Sequence, residues 1–162
     1  MASRREGREL AVQALYQLEV TGDETGADLR QFWQQFPQSE IARDFAMSLV
    51  DGVRRERRRI DALLAGAAEH WRVPRLSKVD ASVLRVAIYE LLSCPDVPTR
   101  VSIDEAIEIA RRFGTGDSAA FVNGVLDRVA GDLGVKGRGD EAGGALRPAG
   151  GEACGSATIP KN

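Results

Sequence analysis

Apolar residues recur at steps of three and four along most of the chain, which is the period of amphipathic helices. This spacing predicts a first helix over about residues 3–20 and a shorter helix that ends before Pro37. A long third helix is predicted from Phe45 to Leu64. No segment shows a convincing period-two alternation of the kind that marks a strand, so the pattern predicts an all-α fold.

The second half of the chain contains the most hydrophobic stretch, which predicts a central helix over residues 79–91 that stops at Pro95. The run from Ser102 to Glu105 fits a capping box, so the next helix should begin at Ser102 and end at Gly114. A last helix is predicted over about residues 117–132. Short connections between these helices favour a compact bundle.

The chain has 162 residues, which is enough for one domain with a hydrophobic core and too few for two ordinary domains. Its composition changes near Gly134, after which glycines are frequent and bulky apolar residues are few. A segment of that kind cannot offset the entropy lost on ordering it. We therefore predict a helical domain over residues 1–133 and a disordered, glycine-rich tail over residues 134–162.

The formal net charge of -2 argues against a protein that coats nucleic acid nonspecifically, so any nucleic-acid binding must use a local patch. No apolar run approaches bilayer length and the N-terminus lacks the apolar core of a signal peptide, so we expect a cytoplasmic location. Cys94 and Cys154 are too few for a disulfide framework, and together with the single His70 they do not make a usual zinc site.

The sequence gives little support for catalysis. A serine or cysteine mechanism would have to use His70, and no nucleophile motif lies beside it. Asp104 and Glu108 are four residues apart on a predicted helix, where carboxylate pairs are mostly solvated. We therefore expect no enzymatic activity, no metal and no cofactor.

Three arginines, Arg4, Arg5 and Arg8, open the first helix, and Arg4 and Arg8 lie one turn apart, where two guanidinium groups can contact neighbouring phosphates. Tyr16 follows Arg5 by three helical turns and so returns to nearly the same face. An aromatic ring beside arginines is typical of single-stranded RNA binders, because the ring stacks on an unpaired base. A solvated helix start, with Tyr16 at the edge of the core, explains the same residues.

A denser basic run occupies residues 54–59, where every residue except Glu56 is arginine. A plain motif search would choose this run as the nucleic-acid site. Helical spacing spreads its arginines around much of the cylinder, between the core positions Val53 and Ile60. The run therefore fits a solvated helix face better than an RNA contact.

Several blocks of the sequence resemble the NusB family of bacterial transcription antitermination factors. They are RREGRELAVQALY at residues 4–16, VDASVLRVAIYEL at 79–91 with DVP at 96–98, IDEAIEIA at 103–110 with FG at 113–114, and FVNGVLD at 121–127. Together the blocks cover about residues 4–130, with the middle of the chain matched only loosely. The order and specificity of the C-terminal blocks carry most of the resemblance.

The resemblance implies an all-helical fold of two three-helix bundles and no catalysis. It also implies binding of the boxA sequence of nascent ribosomal RNA leaders together with NusE, a ribosomal protein that connects the complex to RNA polymerase. Matched by position, the implied RNA-binding residues are Arg4, Arg5, Arg8, Tyr16, Asp117, Ser118 and Phe121. For NusE the family pattern points to Asp80, which could instead be a partner of its helix dipole. Likewise Asp117 could simply cap its helix.

The sequence departs from the family pattern at Glu6, inside the arginine motif, and at Gly7, which weakens a helix by about 1 kcal/mol relative to alanine. Two other classes of function stay open. One is a docking domain like that of certain ribosomal RNA cytosine methyltransferases, whose Rossmann-like catalytic domain has no counterpart in this sequence. The other is a helical oligomer that does not bind RNA.

Overall fold

The structure is a computed structural model that describes residues 2–23, 25–35, 39–69 and 76–140. Its helices are α1 (Ala2–Thr21), α2 (Ala27–Gln35), α3 (Glu40–Arg55), α4 (Arg57–Ala68), α5 (Lys78–Ser93), α6 (Thr99–Phe113) and α7 (Ser118–Leu133). Within the described ranges no residue belongs to a strand. The prediction of an all-α fold is confirmed.

The long helix predicted from Phe45 to Leu64 is in fact two helices, because the helical backbone is interrupted at Glu56 (φ −98°, ψ 15°). The N–H of Glu56 still donates to the carbonyl oxygen of Gly52 at 2.9 Å, so the interruption is short. It lets α3 pack on α1 and α5 while α4 packs on α5 and α7. The sequence has no breaker at residue 56, and the prediction of one continuous helix was wrong.

The predicted capping box is also wrong. Helix α6 begins at Thr99 with Pro98 at its N-cap, one turn before Ser102. Ser102 is buried inside the helix, and Glu105 binds a side chain of α1 instead of its own helix start. Gly114 does end α6 as predicted, and its N–H donates to the carbonyl oxygen of Ala110 at 2.8 Å.

Two groups of helices pack around α5. Helices α1, α2 and α3 form one group, and α5, α6 and α7 form the other, with α4 added against α5 and α7. Helix α5 also contacts α1 and α3, so it joins the groups and lies at the centre, as its hydrophobicity predicted. Its fully buried residues include Leu84, Ile88 and Leu91. Burial of each such side chain contributes roughly 1.5–3 kcal/mol.

Gly7 lies where α1 packs closely against α3. A Cβ atom at residue 7 would be 2.7 Å from Cδ1 of Phe45 and 3.0 Å from the carbonyl oxygen of Ala42. The glycine that lowers helix propensity therefore permits a helix contact that a larger residue would force apart. This contact sets the distance of the arginine-rich start of α1 from α3.

The chain stays packed past the boundary predicted at residue 133. Gly134 ends α7 in the left-handed conformation (φ 69°), and Val135 packs against the core. The Arg138 guanidinium donates to the carbonyl oxygens of Leu91 and Val97, each at 3.0 Å. Packed structure thus continues beyond residue 133, and the rest of the predicted tail, residues 141–162, lies outside the described residues.

Other sequence-based expectations concern the membrane and the cysteines. In the part of the chain that the structure describes, no helix is long and apolar enough to cross a membrane. Cys94, just after α5, is buried. Cys154 and His70 both lie outside the described residues.

Candidate nucleic-acid interface

Arg4, in the first turns of α1, has a partly exposed side chain and a loose ion pair. Its side chain is 40% exposed, and its Nη2 lies 3.6 Å from Oδ2 of Asp96. The guanidinium carbon is 5.3 Å from the centre of the Phe45 ring, within the range of a cation–π contact. Arg4 is therefore oriented by the fold and still reachable from solvent.

Arg5 is the most exposed of the three arginines, and two of its nitrogens donate to one carboxylate. Its side chain is 59% exposed, and its Nε and Nη2 donate to the two carboxylate oxygens of Glu105 at 3.0 and 2.9 Å. The hydrogen bond from Arg5 lowers the pKa of Glu105, and the same bond raises the pKa of Arg5. The pair joins α1 to α6 at the surface.

Arg8 was expected to contact RNA, but its side chain is buried. Only 4% of the residue is exposed, and its Nε donates to Oε1 of Glu90 at 2.8 Å. Burial raises the pKa of Glu90, and the charge of Arg8 opposes that shift. In this structure Arg8 forms a buried ion pair that fixes α1 on α5, and its direct contact with RNA stays a prediction.

The face of α1 that begins at Arg5 continues into an aromatic groove. Arg112 of α6 donates to Glu9, with 2.9 Å to each carboxylate oxygen, and its guanidinium lies 5.2 Å from the centre of the Phe113 ring. Farther along, Tyr16 and Phe113 line an apolar groove of about 380 Å³. Tyr16 is 42% and Phe113 37% exposed, so both rings are accessible to a planar ligand.

The second predicted RNA patch, at the α6–α7 connection, is only partly at the surface. Asp117 is exposed, and its side chain makes no capping hydrogen bond, so the alternative role as a cap is not supported. Ser118 is buried, with its Oγ accepting the Thr115 N–H at 3.0 Å. Phe121 is only 7% exposed and belongs to the core, so it does not present a stacking face as expected.

Asp80 lies in the first turn of α5, where a carboxylate interacts favourably with the helix dipole. The cap itself is Ser77, whose Oγ accepts the N–H of Asp80 at 3.0 Å. Within the described part of the chain, Oδ1 of Asp80 is buried and has no hydrogen-bond partner. The role of Asp80 in binding NusE stays a prediction.

In the basic run at residues 54–59, Arg57 lies beside two carboxylates. Arg57 donates to Asp61 at 2.8 Å and to Glu19 at 3.3 Å, and Arg85 of α5 donates to Asp61 at 3.0 Å. These groups, with Arg54, border a polar cavity of about 660 Å³. Arg55, Arg58 and Arg59 are exposed. The arrangement agrees with the interpretation of a solvated face.

The surface along α1 also includes three residues of α6 that the sequence did not single out as site residues: Glu105, Arg112 and Phe113. Each lies on α6, about a hundred positions from its partner on α1. Helical spacing placed Arg5 and Tyr16 on one face of α1, yet no pattern within one sequence identifies which distant helix packs there. Only the family block at residues 113–114 marked Phe113.

Comparison with known proteins decides the family. The model described as the NusB family matches residues 5–131. This chain belongs to the NusB family. A "Transcription antitermination protein NusB" from Myxococcus xanthus (strain DK1622) is 47% identical over 134 residues, covering 80% of this chain and 96% of the relative. One from Geobacter sp. (strain M21) is 42% identical over 138 residues, covering 80% and 95%.

Solved structures of the NusB family share the fold. A T. maritima NusB has a TM-score of 0.73 at 40% identity, covering 85% of this chain and 97% of the other. A structure of antitermination factors NusB and NusE in complex with dsRNA has a TM-score of 0.70 at 21% identity, which shows the fold alone. The relatives are named for antitermination, a non-enzymatic role, in agreement with the expectation that the chain is not an enzyme.

Proposed function

We propose that this protein is a transcription antitermination factor that binds the boxA sequence of nascent ribosomal RNA. In this proposal it acts in the cytoplasm together with NusE, which links it to the antitermination complex on RNA polymerase. The observation that carries the proposal is its 42–47% identity with proteins named for this role, over 95–96% of their own lengths.

The surface along α1 has the chemistry that single-stranded RNA requires. Arg4 and Arg5 supply accessible guanidinium groups for phosphates, and the rings of Tyr16 and Phe113 supply accessible faces for an unpaired base. Arg8 supports this surface from below, because its pair with Glu90 anchors the same turn of α1 to the central helix.

The acidic side chains on this surface favour a shared role with a second protein. Asp96, Glu105 and Glu9 each pair with an arginine of the surface, and the whole chain carries a net charge of -2. A surface neutralised in this way attracts RNA weakly by charge alone. NusE therefore supplies much of the affinity in this proposal, and the first turn of α5 around Asp80 is its contact.

The proposal is tested by the electrophoretic mobility of a boxA RNA with this protein, with and without NusE. We expect a weak complex that NusE strengthens and that a scrambled RNA of the same length does not form. The double change Arg4→Ala with Arg5→Ala should weaken binding and reduce the log–log salt slope by about 0.7 for each phosphate that the protein no longer binds. The matched control is Arg58→Ala with Arg59→Ala, which removes the same charge from an exposed part of the basic run.

Two results would contradict the proposal. One is equal affinity for boxA and scrambled RNA in the presence of NusE, since recognition would then be absent. The other is a larger decrease in affinity from the control pair at Arg58 and Arg59 than from Arg4 and Arg5, which would place the RNA on α4.

A further inference from the structure

The arginine that is best exposed for RNA already holds an anion from its own chain. The Nε and Nη2 of the Arg5 guanidinium donate hydrogen bonds to the two carboxylate oxygens of Glu105. A phosphate that forms two parallel hydrogen bonds with arginine needs an edge of the same kind. The carboxylate therefore occupies donors that an RNA phosphate would use.

The other surface arginines show that this degree of occupation is particular to Arg5. Arg4 approaches Asp96 only to 3.6 Å, beyond hydrogen-bond distance, so its donors remain available. Arg112 binds both oxygens of Glu9 through Nη1 alone, which leaves its Nε edge outside that contact. Of these three arginines, Arg5 is the one in which two nitrogens, Nε and Nη2, donate to two different oxygens of one carboxylate.

The exposed fractions of the Arg5 and Glu105 side chains indicate from which side an RNA phosphate would replace the carboxylate. The Arg5 side chain is 59% exposed, whereas the Glu105 side chain is 16% exposed, so solvent and RNA reach the guanidinium from outside while the carboxylate lies against the protein. Neighbouring charges hold Glu105 in its ionised form, since the hydrogen bond from Arg5 and the charges of Arg5 and Arg8 lower its pKa. An approaching phosphate therefore meets a fixed negative charge beside its intended partner.

We propose that Glu105 masks Arg5, so that an RNA phosphate must displace the Glu105 carboxylate before it can form two parallel hydrogen bonds with the Nε–Nη2 edge of Arg5. This inference rests on the proposed function, because it assigns a specificity role to one acidic residue of the same surface. The mask lowers affinity for any RNA that offers phosphates alone. An RNA that also places a base on the aromatic groove, or arrives with NusE, supplies the free energy for the exchange.

The test uses fluorescence anisotropy of a labelled single-stranded boxA RNA, titrated at several salt concentrations with the full chain. Glu105→Gln keeps the size of the side chain and one acceptor oxygen but removes the charge. We expect it to bind the RNA roughly two- to fivefold more tightly at low salt, the scale of an exposed ion pair. Its log–log salt slope should steepen by about 0.7, as one more arginine charge becomes available to phosphate.

Asp104→Asn is the matched control. Asp104 is the preceding residue of α6 and its carboxylate lies 3.7 Å from Arg100 of the same helix, with 65% of the side chain exposed. Its substitution removes the same charge without touching Arg5, so we expect a smaller change in affinity and an unchanged salt slope. Glu105→Ala serves as a second variant, and thermal unfolding verifies the fold of each protein.

The double variant Arg5→Ala with Glu105→Gln shows whether the gain depends on Arg5. The proposal expects the gain to disappear in that background. A gain that persists there, or that Asp104→Asn reproduces in full, overturns the mask as a general charge effect. Weaker binding by Glu105→Gln at unchanged thermal stability also overturns it, because Glu105 would then position Arg5 for RNA. In each of these cases the wild-type protein still binds boxA RNA, whereas failure of every variant to bind would refute the proposed function itself.

Discussion

Two arginine-rich surfaces of this fold differ in what surrounds their guanidinium groups. The run at residues 54–59 has more arginines, but Arg57 joins Glu19, Asp61 and Arg85 in a network that balances its charge around a polar cavity. The start of α1 has fewer arginines and lies beside the exposed rings of Tyr16 and Phe113. The number of arginines in a segment therefore predicts its charge, whereas exposed rings beside arginines supply the stacking faces that an unpaired base requires.

The largest expected effect comes from Arg8, the buried member of the α1 group. Arg8→Ala leaves the Glu90 carboxylate buried without its ion-pair partner, so we expect a decrease of about 3–5 kcal/mol in the free energy of unfolding at neutral pH. Removal of Arg8 raises the pKa of Glu90 further, so the folded variant takes up a proton more readily than the unfolded chain. The deficit should therefore shrink as the pH falls towards 4.5.

Denaturant unfolding between neutral and mildly acidic pH measures this effect. The double variant Arg8→Met with Glu90→Leu is the control, because replacement of both charges by apolar groups should recover most of the missing stability. An Arg8→Ala protein of normal stability that binds boxA RNA poorly would contradict the structural role and restore the direct contact.

The second largest effect is expected from Asp80, an acidic residue in the first turn of α5. If this residue contacts NusE, Asp80→Asn should lower NusE affinity about fivefold, the equivalent of roughly 1 kcal/mol for an exposed ion pair, with little change in stability. If it only complements the dipole of α5, the variant should lose roughly 0.3–1 kcal/mol of stability and bind NusE normally. Calorimetric titration with NusE and thermal unfolding separate the two roles, and the second pattern would contradict our assignment.

A smaller effect is expected from Asp117, an acidic residue of the predicted RNA surface. Its side chain makes no capping hydrogen bond, so Asp117→Asn should leave the melting temperature unchanged. With less repulsion of phosphate, boxA affinity should rise, by about twofold on the scale of weak surface charge interactions. A marked decrease in affinity would show that the carboxylate accepts a hydrogen bond from a base, as acidic side chains do from cytosine.

The smallest effect is expected from the exposed arginines of the denser run. The triple change of Arg55, Arg58 and Arg59 to alanine should alter boxA affinity less than twofold at about 0.15 M salt, because charges beyond a Debye length of about 8 Å are largely screened. Anisotropy titration against the Arg4→Ala, Arg5→Ala protein makes the comparison direct. Equal decreases in the two proteins would abolish the distinction between the two surfaces.

Sequence periodicity predicted the helices well, because each buried face repeats within one helix. It did not place the break at Glu56, which allows α3 and α4 to pack on different neighbours and has no local breaker. In the candidate site, too, features within one helix could be predicted and contacts between helices could not. Helical spacing alone puts Arg5 and Tyr16 on one face of α1, whereas the burial of Arg8 depends on Glu90 and Phe45, on helices distant in sequence.

Ser118 and Phe121 show what a match by sequence position leaves open. Both were matched by position to an RNA surface, yet both side chains are buried, Ser118 to accept the N–H of Thr115 and Phe121 within the core. A match to the family pattern gives the position of a residue along the chain. It does not establish whether the side chain points outward, since that depends on how tightly the α6–α7 connection packs.

The hydrogen bonds of Arg138 define where the chain can be shortened. The end of a helix leaves carbonyl oxygens without partners in its own helix, and Arg138 supplies donors to Leu91 of α5 and to Val97 just beyond it. A chain cut after residue 133 would lack these charged hydrogen bonds, each worth roughly 1.5–3 kcal/mol, and would remove Val135 from the core. A chain cut after residue 140 keeps them, so the end of α7 is not the end of the folding unit.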